Sequence, residues 1–181
     1  MAGDSRPPIP TPTPTPTRRV LALADLSATA AVAARLAGLW RAGDVIALEG
    51  DLGAGKTALA RAAIRAAAGD PELEVPSPTF TLVQNYRVDA VEVWHFDLYR
   101  LAGPEEVVEL GWDEARAGGV VLVEWPDRLG EMLPGDRLSL TLMHPPGGGD
   151  EARQLLVDAG PSWRDRLADL VAGFEPGVED A

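Results

Sequence analysis

Cysteine is absent from the 181-residue chain, whose length suits a single domain. Without cysteine there is no disulfide framework and no thiolate metal site, and the composition fits a reducing compartment, so we predict a cytoplasmic protein. Long apolar runs are also missing. No stretch could span a bilayer, and the N-terminus lacks the apolar core of a signal peptide, so we expect no membrane contact.

Positive charge is scarce, and nearly all of it is arginine. The 16 basic residues are outnumbered by 28 acidic ones, and the net charge of −12 argues against unaided binding to a nucleic-acid backbone. Lys56 is the only lysine. A single lysine among arginines indicates a position that needs a compact ammonium, which fits between two phosphoryl oxygens better than a planar guanidinium does.

Lys56 belongs to a glycine-rich segment, from Gly50 to Thr57, with the pattern G-x-x-x-x-G-K-[ST]. In this pattern backbone N–H groups cradle phosphates and the hydroxyl ligates magnesium. It therefore predicts a site for ATP and Mg²⁺, with Thr57 as a metal ligand. The predicted phosphate-binding residues are Gly53, Ala54, Gly55, Lys56, Thr57 and Ala58.

The flanking sequence supports this prediction. Residues 45–48 are an apolar run typical of a buried strand, and residues 57–68 favour a helix that ends at Gly69. The order of strand, glycine loop and helix places the positive end of the helix at the phosphates. The alternative is a glycine-rich turn that only joins a core strand to a helix.

Strands and helices alternate along the rest of the chain. We therefore predict an α/β, P-loop NTPase-like fold: a mostly parallel central sheet flanked by helices, with a β-hairpin insertion. We expect residues 1–18 to be a disordered Pro/Thr-rich tail, 19–173 a single P-loop ATPase domain and 174–181 a frayed acidic C-terminus. The predicted strands are residues 20–23, 45–48, 79–86, 91–97, 120–124, 138–143 and 154–157, and the predicted helices are 25–41, 57–68, 104–110 and 162–173.

Two candidates for chemistry beside the phosphates are a carboxylate and a hydroxyl. Glu124 ends the apolar strand at 120–124, where ligands gather in open α/β sheets, so we predict that it holds magnesium or polarises the attacking water. Thr79, in the hydroxyl-rich segment at 77–81, is a candidate contact of a magnesium-bound water or the γ-phosphate. For Glu124, the alternative is a surface glutamate without a role in the site. For Thr79, the alternative is a threonine that only hydrogen-bonds the backbone in a turn.

Asp97 is the third candidate, because it ends the strand at 91–97. It faces the phosphates if that strand lies beside the strand of Glu124, and otherwise it pairs with Arg100 at a sheet edge.

Trp125 and the two histidines give less specific signals of function than the carboxylates do. Trp125 packs on a partner, shields the phosphates or packs in the core. His95 and His144 show no metal-ligand spacing, and we interpret both as structural.

Four blocks of the chain form a pattern that is far more specific in order and spacing than a phosphate loop alone. The blocks are residues 50–57, SPTFTLV at 77–83, HFDLYRL at 95–101 and VEWP at 123–126. With these blocks the chain resembles the bacterial TsaE family, the ATPase of tRNA threonylcarbamoyladenosine (t6A) biosynthesis. Phe80, often tyrosine in the family, and the loop at residues 145–149 depart from the family pattern.

The resemblance implies a role in a larger assembly. Family members bind a complex of the TsaB and TsaD subunits, in which TsaD transfers threonylcarbamoyl to a tRNA adenosine, and the ATP cycle of TsaE supports repeated turnover. A protein of this kind would reach tRNA only through its partner, and residues 25–27 would lie near the adenine. The implied catalytic residues are Lys56, Glu124, Asp97 and Thr79, the metal residues are Thr57 and Glu124, and Trp125 joins Thr79 and Asp97 in linking the nucleotide to the partner.

Two other functions stay open. A small-molecule kinase would use the same loop, but it needs an acceptor pocket and usually an arginine-bearing lid, whereas a β-hairpin is predicted after the phosphate-loop helix. A nucleotide sensor without turnover would bind tightly and would not depend on Glu124. The sequence does not determine the oligomeric state.

Overall fold

A computed structural model of the protein describes residues 17–177. Within them, seven strands form one sheet in the order β1-β7-β6-β2-β5-β4-β3. The strands are β1 (Thr17–Leu23), β2 (Val45–Glu49), β3 (Val83–Val88), β4 (Val91–Asp97), β5 (Val120–Glu124), β6 (Leu138–Met143) and β7 (Arg153–Ala159). The helices are α1 (Leu26–Leu39), α2 (Lys56–Ala68), α3 (Glu106–Glu109), α4 (Trp112–Gly118) and α5 (Arg164–Val171), with 3₁₀ segments at Pro126–Met132 and Pro161–Trp163.

The centre of the sheet is parallel. β2 pairs in parallel with β5 on one side and with β6 on the other, and β5 pairs in parallel with β4. The β3–β4 hairpin and the pairs β1–β7 and β6–β7 are antiparallel. The predicted α/β fold with its hairpin is therefore confirmed, and the antiparallel edges make the whole sheet mixed. The C-terminal ends of β2, β4 and β5 meet at one edge, where ligands bind in sheets of this kind.

The core has one apolar layer on each face of the sheet. Ile46 and Leu48 of β2 contribute to the layer beneath α1, α2 and α5. Val45 and Ala47 contribute to the layer beneath α3 and α4. Because β2 is buried on both faces, its sequence is a continuous apolar run rather than an alternating one.

The helix boundaries follow from their caps. The Oδ1 atom of Asp25 accepts the N–H of Ala28 at 2.8 Å and begins α1, close to the start of the helix predicted at 25–41. Gly69, at a φ of 63°, ends α2. The last predicted helix, at 162–173, is shorter than expected, because a 3₁₀ turn precedes α5, which covers Arg164–Val171.

The helical prediction at residues 104–110 is only partly correct. One turn, α3, forms there, and it ends before Gly111, which has a φ of 85°. A second helix, α4, then begins at Trp112, and the sequence did not predict it. Trp112 is fully buried and packs edge-on against Phe96 of β4, with 5.4 Å between the ring centroids. This burial fixes α4 against the sheet, so α4 depends on a tertiary contact rather than on local propensity.

The prediction of a strand from residue 79 is wrong at its start, because β3 begins at Val83. The chain turns before it: the N–H of Leu82 donates to the carbonyl of Pro78 at 2.6 Å, and Leu82 has a φ of 64°. The turn keeps Thr79 out of the hairpin and leaves it in a loop at the C-terminal edge of β4.

The two ends of the domain pair with the sheet. β1 begins at Thr17, so Thr17 and Arg18 belong to the sheet. Residues 174–177 run along the outer edge of β1, where the N–H of Ala22 donates to the carbonyl of Glu175 at 2.9 Å. Residues 1–16 and 178–181, to which the remaining tail and C-terminal predictions apply, lie outside the described residues. Among residues 17–177, no helix is both long and apolar enough to cross a membrane.

Candidate functional site

The glycine-rich segment forms a tight loop between β2 and α2. Gly50, Gly53 and Gly55 have φ values of 128°, 81° and 110°, which other residues rarely adopt. A Cβ at Gly50 would also lie 2.3 Å from the carbonyl oxygen of Leu142. Left-handed residues at intervals turn successive N–H groups toward one centre and create an anion-binding nest, and the N-terminus of α2, which begins at Lys56, adds to it.

Lys56 is buried at the mouth of this loop. Its Nζ atom donates to the carbonyls of Gly50 and Asp51 at 2.7 and 2.8 Å and lies 4.0 Å from the ring centroid of Trp125. Burial lowers the pKa of Lys56, and the nearby carboxylates of Glu124 and Asp97 oppose this shift. The ammonium is thus held by weak acceptors, which a phosphate would replace with charged oxygens.

The ring of Trp125 therefore lies at the site, beside Lys56. It follows β5 directly and has a φ of 58°, which turns its ring toward Lys56. Tyr99 flanks the same ring, with 5.0 Å between the centroids. The half-buried ring also packs against the apolar layer beneath α3 and α4, so Trp125 joins the site to the core.

Glu124 is buried rather than a surface glutamate. Its Oε2 atom accepts the hydroxyl of Thr57 at 2.9 Å, and its Oε1 atom lies 2.9 Å from Nε2 of His95. Both carboxylate oxygens therefore have partners from other elements, one on α2 and one on β4. The sequence predicted that Thr57 and Glu124 serve one site, and the structure brings them together.

Asp97 lies beside Glu124, because the two residues are register partners in the parallel pair of β4 and β5. This is the condition under which we expected Asp97 to face the phosphates. Its Oδ2 atom accepts the hydroxyl of Thr79 at 2.6 Å, and its Oδ1 atom accepts the N–H of Tyr99 at 3.1 Å. Arg100 instead lies over the ring of Phe80, 4.5 Å from its centroid.

These residues surround one cavity of about 310 Å³. The oxygens of Thr57, Glu124, Thr79 and Asp97 are the hard ligands that Mg²⁺ prefers. Within residues 17–177, no three acidic or histidine side chains are grouped so that they could hold a metal by themselves. The lining residues are Leu52, Gly53, Gly55, Lys56, Thr57, Ala58, Ser77, Thr79, Asp97, Tyr99, Glu124 and Trp125.

The charge balance of the site also fits a divalent cation. Four carboxylates act on the ammonium of Lys56 and raise its pKa against the effect of burial: Glu124, Asp97, Asp51 and Asp127. One lysine cannot neutralise both these groups and a triphosphate, so binding a polyanion here calls for an added cation.

Sequence reasoning did not recognise two residues that contact the site. His95 was interpreted as structural, but it bonds Glu124 directly; its position two residues before Asp97, on the same strand face, was the available signal. Arg153, at the start of β7, donates from Nε to the carbonyl of Ala54 at 2.7 Å. No local pattern marks Arg153, because it reaches the loop from 99 residues away.

The junction at residues 25–27, expected near the adenine, lies at a second opening. A groove of about 540 Å³ runs between α1 and α2 and is lined by Leu26 of α1 and by Ala58 and Ala62 of α2. Ala58 also lines the phosphate cavity, so the two openings adjoin.

The loop, the buried lysine and the carboxylates at the ends of β4 and β5 define a P-loop NTPase-like protein. A crystal structure of YdiB from Bacillus subtilis has this fold, with a TM-score of 0.67 and 27% identity over 87% of this chain and 95% of that one. The family model described as "Threonylcarbamoyl adenosine biosynthesis protein TsaE" matches residues 23–154. The chain belongs to the TsaE family.

Relatives named tRNA threonylcarbamoyladenosine biosynthesis protein TsaE align with it to different extents. The Streptomyces coelicolor protein is 36% identical over 149 residues, which cover 77% of this chain and 96% of the relative. The Bacillus subtilis protein is 38% identical over 132 residues, covering 72% and 79%. The Rickettsia felis protein is 43% identical over 90 residues, and the chain spans only about half of its length, 52%.

Proposed function

We propose that this protein binds and hydrolyses ATP with Mg²⁺ and thereby supports threonylcarbamoyl transfer to a tRNA adenosine by a TsaB–TsaD-type complex. The observation that carries the proposal is the 2.9 Å bond between the Thr57 hydroxyl and Glu124, beside the buried ammonium of Lys56. A loop hydroxyl and a strand-end carboxylate, joined across α2 and β5, are the pair that phosphoryl chemistry in this fold requires. Membership of the TsaE family supports the tRNA modification as the process served.

The residues that line the cavity have different roles in the proposed reaction. The N–H groups of Gly53 and Gly55 and the ammonium of Lys56 bind the phosphates, and the ammonium leaves its carbonyl partners to do so. The N–H of Ala54 donates to the carbonyl of Asp51 at 3.1 Å and shapes the loop instead. Thr57 and Glu124 hold Mg²⁺ directly or through water. Mg²⁺ held by these two residues would supply positive charge against the negative charge that develops on the phosphate oxygens.

Asp97 and Thr79 line the same cavity as the loop. The Asp97 carboxylate accepts the Thr79 hydroxyl, so Thr79 has a fixed oxygen that can hold a water for attack or contact the terminal phosphate. Because residues 78–82 form a turn rather than a strand, this contact can form and break without disrupting the sheet.

The charge of the chain supports an indirect relation to tRNA. The net charge of −12 disfavours unaided binding to a phosphate backbone, so we assign the RNA contact to the partner complex.

The test is a reconstituted modification assay. We expect slow ATP hydrolysis by the protein alone, faster hydrolysis with TsaB, TsaD and tRNA, and repeated t6A formation only when all are present with ATP. Candidate small-molecule acceptors are assayed in parallel, and ATP-dependent phosphorylation of one of them, without an effect on t6A, would establish the kinase alternative. ATP hydrolysis without any effect on t6A formation would contradict the proposed role in tRNA modification, while the proposed ATPase activity would stand.

A further inference from the structure

We propose that Arg153 is a positioning residue for the phosphate cradle: it holds the peptide between Ala54 and Gly55 so that the Gly55 N–H faces the phosphates. The proposal rests on the proposed nucleotide site. It assigns a role to a residue of β7, outside the loop, the strand-end carboxylates and the segment at 77–81.

The contact is direct and is made to the middle of the loop. Nε of Arg153 donates to the carbonyl oxygen of Ala54 at 2.7 Å. Ala54 is buried, and its own N–H donates to the carbonyl of Asp51 at 3.1 Å. The loop is thus fixed on both sides of this residue, once by its own backbone and once by a side chain from a different strand.

The contact matters because it fixes the orientation of one peptide unit, the one between Ala54 and Gly55. No cis peptide bond occurs among the described residues, so the carbonyl of Ala54 and the N–H of Gly55 point in opposite directions across one plane. Arg153 binds the carbonyl on the outer side. Gly55 lines the phosphate cavity on the other side. A rotation of this plane would withdraw an N–H donor and turn a carbonyl oxygen toward the phosphates, which repels them.

The loop has little intrinsic resistance to such a rotation. Gly53 and Gly55 flank Ala54, and both have positive φ. Glycine reaches many backbone conformations at similar energy, so a peptide plane between glycine-rich neighbours rotates easily unless it is held. The guanidinium supplies the hold with a charge-assisted hydrogen bond.

Arg153 is itself anchored at its other end. Its Nη1 atom donates to the carbonyls of Asp150 and Ala152 at 2.6 and 2.7 Å. These carbonyls belong to the connection between β6 and β7. The side chain therefore joins that connection to the phosphate loop, and the position of Nε does not depend on the loop it supports.

Two neutral variants separate the hydrogen bond from the charge. Glutamine places its amide nitrogen the same number of bonds from the backbone as Nε, so R153Q keeps a donor for Ala54. R153M places a methyl group there and keeps none. Both variants remove one positive charge. R137M is the control, because Arg137 also donates to a backbone carbonyl, that of Pro134, but at the opposite end of the sheet.

The measurement is the affinity for ADP and for a non-hydrolysable ATP analogue with Mg²⁺, beside the thermal midpoint without nucleotide. We expect R153M to bind about tenfold more weakly, about 1.4 kcal/mol, and R153Q and R137M to bind within about threefold of wild type. The steady-state counterpart is a raised KM with kcat largely retained. Wild-type protein without nucleotide affinity would overturn the proposed function itself.

Two outcomes overturn the positioning role while the nucleotide site stands. Wild-type affinity in R153M shows that the loop does not need the contact. Equal weakening in R153M and R153Q shows that charge, not the orientation of the peptide, is what matters. If R153M does not fold, R153Q provides the test of the positioning role. Nucleotide affinity like that of the wild type, with a lowered salt dependence, supports the role. A tenfold loss of nucleotide affinity in R153Q overturns it.

Discussion

The carboxylate of Glu124 and the imidazole of His95 lie 2.9 Å apart on neighbouring parallel strands, and both side chains are almost fully buried. His95 thereby occupies one oxygen of the carboxylate and leaves the other to Thr57. The carboxylate cannot rotate without losing a buried hydrogen bond, which costs about 1–3 kcal/mol. The hydrogen bond to His95 of β4 thus fixes the orientation of the Glu124 carboxylate toward the loop.

Replacing His95 tests this arrangement. We expect H95L to lower kcat for ATP hydrolysis by about 10–100-fold, the usual effect of losing an outer partner of a ligand, with nucleotide affinity near wild type. H95Q keeps a donor at the position of Nε2 and should recover much of the rate. Thermal unfolding without nucleotide controls for damage to the core. Equal kcat values for ATP hydrolysis in H95L and H95Q would show that His95 is only a core residue.

Removing the Lys56 ammonium should abolish turnover. We expect K56A to weaken nucleotide binding by ~1.5–3 kcal/mol, the size of a charge-assisted contact, and to leave the domain folded by circular dichroism. K56R is the matched variant, because it keeps the charge but places a wide planar group in a tight loop; we expect it to fail as well. Hydrolysis at the wild-type rate in K56A would falsify the nucleotide site.

Removing the Glu124 carboxylate should separate binding from hydrolysis. We expect E124A and the isosteric E124Q to bind ATP but to lose hydrolysis by about 100-fold or more, with a weaker dependence of the remaining rate on Mg²⁺ concentration. Binding is measured by titration calorimetry and hydrolysis by phosphate release. Wild-type rates in both variants would move the metal role to Asp97.

Partner affinity should depend on the nucleotide. Residues 77–81 contact Asp97 through Thr79, and a terminal phosphate in the cavity would order them, so TsaB–TsaD should bind the ATP-analogue, ADP and empty states with different affinities. Trp125 offers a fluorescence signal, diluted by the four other tryptophans of the five. Identical affinities in all three states would leave an ATPase that does not gate its partner.

Tyr86 offers a test of stability far from the chemistry. Its hydroxyl is buried without a hydrogen-bond partner among the described residues, and burial raises the pKa of Tyr86, while Arg61 opposes the shift. Y86F should therefore keep or raise the free energy of unfolding, by up to about 1 kcal/mol at neutral pH. Denaturant titrations measure it.

The pH dependence follows from the same shift. Because the folded-state pKa of Tyr86 lies above its unfolded value of about 10, the folded protein keeps this proton longer, and its stability falls as pH rises through and above that value. Y86F should lose this component of alkaline destabilisation. An unchanged alkaline profile would show that the hydroxyl reaches water.

Much of the site was predictable because its signals are local in sequence. The single lysine and the glycine pattern identified the loop, and the apolar run at 120–124 identified the strand that carries Glu124. Other features were not local. β3 begins four residues late because Leu82 adopts a left-handed conformation, and α4 forms because Trp112 packs on Phe96. Patterns of propensity do not contain either contact.

The sequence by itself determined the glycine-rich loop between a strand and a helix and the alternation of strands and helices, and it predicted residues for phosphate and metal, because these depend on spacing and residue type. Only the tertiary structure decided that β4 lies beside β5, and this brings Asp97 next to Glu124 and places His95 behind it. Only the tertiary structure brought Arg153 to the loop. Strand order and long-range hydrogen bonds depend on which packing buries the whole chain best, and no single segment encodes that result.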